Sequence, residues 1–267
     1  MKYGLIGLGN MASAIIQGMT SSGAFSEDVI YGYNRSEEKT LRLKEKCGIE
    51  PCQSAEEVAE KAEVVILSVK PQMMASVLDE ITSSVDENKE IISIAAGLPT
   101  SWYEERLSAP VSVVRVMPNI NAKVKSAVTA VCGGTNAKEE NLQRAEKIFS
   151  TIGKAYRIEE KMFSAFSAIG GASGAFVYLY IDALADAGVK AGFPRSFAVD
   201  LATQTVLGSA KLVDETGEHP IVLMNQVCSP GGPTIEGVLT LKKEGFEAAV
   251  QDGIEAIIRK DQKLGEG

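Results

Sequence analysis

Residues 4–12 read Gly4-Leu5-Ile6-Gly7-Leu8-Gly9-Asn10-Met11-Ala12, an apolar strand running into a glycine-rich turn and then into a helix. A buried strand wants an apolar run, a phosphate-binding turn wants backbone without Cβ atoms, and a helix N-terminus offers free N–H groups to an anion. The stretch supplies these three in order. Ala12 stands at the third position of the G-x-G-x-x-G pattern, a variant that still lets helix and strand pack closely. The strand opens the chain, as expected of a protein that begins with a dinucleotide-binding unit. Ile6, Gly7, Leu8, Gly9, Asn10 and Met11 are accordingly candidate cofactor contacts.

Outward from this stretch, apolar and β-branched runs predict strands over 2–6, 29–33, 63–69, 90–95 and 111–116. Helical patterns lie between them, over 10–21, 37–46, 55–61, 72–81 and 101–107. Ser36 is a candidate N-cap, Ser54 and Glu57 a capping box, and Pro71 a first helical residue. Alternation at this spacing implies a parallel sheet with right-handed crossovers. Strands over 126–132 and 154–158, around a helix over 137–149, complete an α/β domain at residues 1–158. Residues 159–267 show only helical patterns, over 159–169, 174–191, 195–214, 219–227, 233–243 and 245–262. The long ones are apolar on more than one face, which points to a partner across a subunit interface. The expected fold is therefore a Rossmann-type α/β domain with a mostly parallel sheet, followed by an all-α dimerisation domain.

Composition narrows the functions open to such a chain of 267 residues. A net charge of −8 and a pI of about 5.0 do not offer the basic surface that nucleic acid requires. Cys47, Cys52, Cys132 and Cys228 lack C-x-x-C spacing and read as free, mostly buried thiols, with no metal site implied. His219 is the single histidine, which removes histidine triads and multi-histidine metal centres; its place before Pro220 reads as a helix start. The uncharged stretch 162–181 has the length of a bilayer span, yet its Gly, Ser and Ala content reads as a helix buried all round in protein. No basic leader precedes the first strand, and the expected location is cytoplasmic.

In this fold the end of the second strand reads the adenosine ribose: a carboxylate there selects NADH, and an arginine with small polar neighbours accommodates a 2′-phosphate. Here the strand ends in Tyr33-Asn34-Arg35-Ser36, with no carboxylate before Glu37. NADPH is the expected cofactor, with NADH the alternative. Ser68-Val69-Lys70-Pro71 and Ala95-Ala96-Gly97 follow the next two core strands, at the carboxyl ends where ligands bind in such sheets.

With these residues in place, the chain resembles the pyrroline-5-carboxylate reductase family over essentially its full length. The matching blocks include Gly7-Leu8-Gly9-Asn10-Met11, Val69-Lys70-Pro71, Ala95-Ala96-Gly97, and Val114-Arg115-Val116-Met117-Pro118-Asn119. In the second half they are residues 183–190, residues 204–211, and Gln226-Val227-Cys228-Ser229-Pro230-Gly231-Gly232 continuing to Thr234-Ile235. The resemblance implies reduction of a cyclic imine to L-proline by NAD(P)H, and a homodimer through the C-terminal helices, or an oligomer of such dimers. It further implies that Ser229, Gly231, Gly232 and Thr234 clamp the substrate carboxylate, with Pro233 at a substrate-binding position between them and Thr234 at the imine nitrogen. Glu160 matches a position near the substrate, and Gln226 one that contacts the cofactor. Such a reduction needs orientation, a proton and a carboxylate clamp, and no metal.

The chain departs from the family pattern in three places. Gly170-Gly171-Ala172-Ser173-Gly174-Ala175-Phe176 stands where the family usually has Ser-Gly-Ser-Gly-Pro-Ala-Tyr. Ile120-Asn121-Ala122-Lys123-Val124-Lys125 brings two lysines where neutral or acidic residues are usual. Pro233 replaces a residue that carries an N–H. These changes predict a retained scaffold with an altered substrate pocket. The rival readings are a reductase of another small cyclic imine and a non-catalytic NADPH-binding relative.

Overall fold

The structure, a computed structural model, describes the backbone of residues 1–265 and the side chains of residues 1–261. Two compact units divide the chain. One holds Met1–Gly171 with residues 260–265, the other Ala172–Arg259.

The first unit is built on eight strands: β1 (Lys2–Ile6), β2 (Val29–Tyr33), β3 (Glu50–Pro51), β4 (Val64–Leu67), β5 (Glu90–Ser93), β6 (Ser112–Pro118), β7 (Ala127–Gly133) and β8 (Gly153–Arg157). Their order is β3-β2-β1-β4-β5-β6-β7-β8. Every neighbouring pair is parallel except β6–β7, which runs antiparallel with Val116 opposite Val131. The two-residue β3 went unread in the sequence, because Glu50-Pro51 lacks any apolar run and joins only the edge of the sheet. The helices of this unit are α1 (Asn10–Ser21), α2 (Glu37–Cys47), α3 (Ala55–Lys61), α4 (Pro71–Ile81), α5 (Thr100–Glu104), α6 (Glu139–Ser150) and α7 (Phe163–Phe166).

Central strands buried on both faces are apolar at consecutive positions rather than alternating ones, and β4 (Val-Val-Ile-Leu) is buried throughout. Val64 and Ile66 look into one core with Leu5, and with Ile15, Ile16 and Met19 of α1 and Ile148 and Phe149 of α6. Val65 and Leu67 look into the other with Ile6, Val58 of α3, Met74 and Leu78 of α4, and Tyr103 of α5. This alternation sets α1 over one face and α3 and α4 over the other, and leaves the strand ends free. Ser54 caps α3 by accepting from the Glu57 amide at 3.0 Å, while the Glu57 carboxylate accepts from the amide of Gln53 rather than from that of Ser54. Ser36 occupies the N-cap of α2 but its side chain makes no cap bond, a correction to the capping role expected of it.

After β8 the expected single helix over 159–169 is broken. A 3₁₀ turn at Glu160–Met162 leads into the short α7 and a π-helical turn at Ser167–Ala172. Gly170 and Gly171 loosen the backbone here, and widened helical turns of this kind recur at functional sites.

The second unit holds α8 (Gly174–Lys190), α9 (Arg195–Thr216), α10 (Pro220–Val227), α11 (Pro233–Lys243) and, as far as Arg259, α12 (Phe246–Gly265). α8 and α9 meet on small residues, with Ala185, Ala198 and Ala202 packed together. Arg195 bridges Asp182 and Asp186 beside that contact. His219 starts α10, its ring Nδ1 accepting from the Ile221 amide at 3.2 Å. The expectation of a helix buried all round over 162–181 is not met within the chain: Tyr178 is 60% and Leu179 70% exposed. Residues 160–190 are also long and apolar enough to cross a membrane by length and composition. The apolar face is real, and what it lacks is a cover drawn from its own unit.

Candidate functional site

The cradle forms where β1 ends. Gly7 turns the chain with a φ of 89°, and a Cβ there would lie 2.7 Å from the Ser68 carbonyl oxygen, so the turn closes only on glycine. Its amide donates to the Tyr33 carbonyl at 2.9 Å, and the Ser68 amide donates to the Ile6 carbonyl at 2.9 Å. These bonds draw the ends of β1, β2 and β4 together. Gly9 differs in kind: a Cβ there would meet nothing within 4 Å, which marks open space above the turn. Gly9 is also the N-cap of α1 and has no capping side chain. The first amides of α1, on Asn10, Met11 and Ala12, therefore point at that space unpaired, with the helix dipole behind them.

Asn34 fastens the turn. Its Oδ1 accepts from the Leu8 amide at 3.0 Å, and its Nδ2 donates to the Ser36 carbonyl at 3.2 Å. That leaves Arg35 exposed at the mouth of the cradle, with no carboxylate partner among the described residues. Val69 and Lys70 lead into α4 with Pro71 at its first position, and Gly97 turns the end of β5 with a φ of 81°. All the cofactor residues expected in the first unit thus lie at the carboxyl ends of β1, β2, β4 and β5. A cavity of about 210 Å³ lined by Asn10, Met11, Ala14, Ile120, Ala122 and Lys123 opens beside the head of α1.

Behind the Ala95–Gly97 turn lies a network that the sequence did not show. Ser93 Oγ and the Tyr103 hydroxyl share a buried hydrogen bond of 2.6 Å, and Ser93 Oγ accepts from the Ala95 amide at 3.2 Å. Burial pushes the Tyr103 phenol up from its ordinary value, so it remains a neutral hydrogen-bonding group. Further along, Glu160 Oε1 accepts from the Thr100 amide at 2.8 Å and from Arg115 at 3.1 Å, and Oε2 accepts from the Thr100 hydroxyl at 2.9 Å. Arg115 lies over the Phe163 ring, 4.3 Å from its centre. Both oxygens of Glu160 are therefore engaged in holding the start of α5. Asn119 donates from Nδ2 to the Gly170 carbonyl at 2.6 Å and accepts from the Asn121 amide at 3.2 Å, tying β6 to the π-helical turn. Glu160 lies 60 residues from Thr100 and 45 from Arg115 in sequence, and no local pattern announces such contacts. Cys132 nearby is buried, and desolvation aided by the Glu160 charge pushes its thiol up to about 12, which makes it no nucleophile.

In the second unit, Ser229–Gly232 form the turn before α11. Gly231 has a φ of 66°, and the Gly232 amide donates to the Ser229 carbonyl at 3.0 Å. A Cβ on Gly232 would sit 2.3 Å from Ser229 Oγ, so the hydroxyl folds over its own turn. Gly232 is the N-cap of α11, Pro233 its first residue, and no side chain caps it. The amides left facing solvent at this end are those of Thr234 and Ile235. Gln226, at the end of α10, is exposed and donates to Glu218 at 3.0 Å.

Comparison with known proteins follows the same division. A family model described as pyrroline-5-carboxylate reductase dimerisation matches residues 160–264, and one described as NADP oxidoreductase coenzyme F420-dependent matches residues 2–97. The pyrroline-5-carboxylate reductase of Escherichia coli (strain K12) is 40% identical over 263 residues, covering 98% of each chain. Among solved structures, a pyrroline-5-carboxylate reductase from Coxiella burnetii matches with a TM-score of 0.93 at 29% identity, over 98% of this chain and 97% of that one. The pyrroline carboxylate reductase of Plasmodium falciparum with NADP bound matches with a TM-score of 0.82 at 30% identity, over 99% and 98%.

Proposed function

The chain belongs to the pyrroline-5-carboxylate reductase family and is an NADPH-dependent reductase of pyrroline-5-carboxylate to L-proline; from that premise we propose the parts its residues play. The division is residues 1–158 for the cofactor and 159–267 for the substrate and the dimer. When bound, NADPH supplies the hydride that the imine carbon receives. The open space above Gly9 and the unpaired amides of Asn10, Met11 and Ala12 suit its pyrophosphate. Arg35 takes the 2′-phosphate with Ser36 beside it, while Asn34 holds the turn in shape. Ser68–Pro71 and Ala95–Gly97 line the ends of the neighbouring strands, and Gln226 is the residue of the second unit that the family resemblance assigns to the cofactor.

Hydride addition to a C=N bond leaves an electron pair on nitrogen, which needs a proton and a hydrogen-bonding partner. Thr234 is assigned that position. The carboxylate of the substrate lies at the N-terminus of α11, against Ser229 Oγ and the amides of Gly231 and Thr234. Gly232 serves through its lack of a side chain, since its amide is already given to Ser229. Glu160 acts at the substrate through α5, whose start it holds, rather than as a free carboxylate. The observation that carries the assignment is an uncapped helix N-terminus in each unit, one beside Gly9 and one at Gly232, matching the two anionic groups of the reactants.

The exposed apolar residues of α8 and α9, among them Tyr178, Leu179, Phe197, Leu207 and Leu212, support a homodimer through these helices, with an oligomer of dimers as its extension. Fully burying each large side chain stabilises by about 1.5–3 kcal/mol. Four free cysteines support a reducing, cytoplasmic location. Thr234→Ala tests the catalytic assignment: kcat is expected to fall about a hundredfold, with Thr234→Ser retaining most of it. An unchanged kcat in the alanine variant removes Thr234 from the chemistry.

A further inference from the structure

A second cavity, of about 360 Å³, runs along the outer face of α1 from Gly9 and Asn10 past Ser13 and Gln17 to Gly18. One wall is α2 and the other the loop after β6, and five cations line it: Lys39, Arg42, Lys46, Lys123 and Lys125. Among the described residues no carboxylate lines it. This concentration stands out in a chain of net charge −8. Lys46 donates to Gln17 Oε1 at 2.8 Å and Lys125 to Ser21 Oγ at 2.9 Å, so both are steadied by neutral oxygens. Lys39, Arg42 and Lys123 have no ion pair among the described residues. Lys125 is also the one non-glycine residue among those described with a left-handed backbone, at a φ of 55°. That conformation is disfavoured for a residue with a Cβ.

Convergent cations without counter-charges repel one another, and an anion relieves the repulsion. We propose that this groove binds an oligophosphate. Lysines act on phosphate as point charges and arginine as a bidentate donor, and together they suit a chain of several phosphates better than one. The groove is too extended for a single phosphate and too polar along its basic walls for an apolar ligand. It shares Leu8, Gly9 and Asn10 with the dinucleotide cradle. Resting on the cofactor assignment above, bound oligophosphate therefore opposes NADPH at the head of α1.

The probe is inorganic triphosphate, titrated calorimetrically into the full-length protein without cofactor, with ATP as a parallel arm. Binding is expected, weakening as salt screens the cations. Lys39→Gln, Arg42→Gln and Lys123→Gln are each expected to weaken it about tenfold. Lys44→Gln, an exposed change of the same charge on α2 outside the groove, is expected to leave it unaltered. Triphosphate and ATP binding alike, both sensitive to Lys123→Gln, support the site. Absence of triphosphate binding overturns it, as does a Lys44→Gln effect equal to that of Lys123→Gln. ATP binding that ignores Lys123 also overturns it, since ATP is then held through its adenosine. The KM for NADPH without triphosphate is measured on the same variants. If it stays at the wild-type value while triphosphate binding is lost, the groove and the cradle are separate claims, and the cofactor assignment stands or falls on Arg35 and Gly9.

Discussion

Replacing Pro233 by threonine tests how the substrate carboxylate is held. Pro233 is the first residue of α11 and carries no N–H, while Gly232 before it has given its amide to the Ser229 carbonyl at 3.0 Å. The turn thus offers the carboxylate fewer backbone donors than an ordinary helix N-terminus. A charge-assisted hydrogen bond to a carboxylate is worth about 1.5–3 kcal/mol. At about 1.4 kcal/mol per decade, one restored N–H should lower KM for pyrroline-5-carboxylate roughly tenfold to a hundredfold. Against this stands the loss of proline's fixed φ at the helix start, which costs about 0.4–1 kcal/mol of stability through the unfolded chain and does not touch KM. The assay is steady-state NADPH oxidation over a range of pyrroline-5-carboxylate, with thermal unfolding alongside. Pro233→Ala is the companion variant, restoring the N–H without adding a hydroxyl. Both variants should lower KM alike with a slightly lower Tm. If KM is unchanged or raised in both, the carboxylate is not held by the first turn of α11.

Arg35→Ala should raise KM for NADPH about tenfold or more while leaving that for NADH nearly unchanged, since only the phosphorylated ribose needs the guanidinium; equal effects on both cofactors would place Arg35 elsewhere. Gly7→Ala and Gly9→Ala should separate folding from binding. The first forces a Cβ to 2.7 Å from the Ser68 carbonyl oxygen at a φ of 89° and should lower Tm by several degrees, whereas the second fills open space and should raise the NADPH KM with Tm intact. Glu90 gives a pH prediction. It is buried with Asn141 and Arg144 as partners, and desolvation raises its carboxyl above the ordinary 4.5. The folded state then holds a proton that the unfolded state releases. Stability relative to Glu90→Gln should fall as pH rises from 4.5 through the raised value, and be flat above it, in urea midpoints followed with pH. A difference that grows with pH would reverse the sign of the argument.

Local chemistry made much of this protein legible. The strand–turn–helix at 4–12, the alternation of apolar runs and helical patterns to residue 158, and the change to purely helical patterning after it are near-neighbour properties of the chain. So are the Arg35 signal, with no acid beside it, and the Ser-Pro-Gly-Gly turn at 229–232, because a tight turn and a free helix end demand particular residues in succession. Residues brought together across the chain were not legible. Glu160 reads as a lone carboxylate in sequence, and only the approach of Thr100 and Arg115 turns it into the anchor of α5. Asn34 reads as one of the three residues Asn34-Arg35-Ser36 at the cofactor, and its hold on the Leu8 amide shows only in the fold. Lys123 and Lys125 read as an unexplained departure until the return from β6 sets them against Lys39 and Arg42 across α1. The apolar pattern of α8 declared that the helix must be covered, but the pattern is the same whether the cover comes from the same chain or another. Only the fold, which leaves Tyr178 and Leu179 in the open, shows that the helices of their own unit do not supply that cover. Hydrophobic periodicity measures how much surface must leave water, and tertiary structure alone determines what takes the water's place.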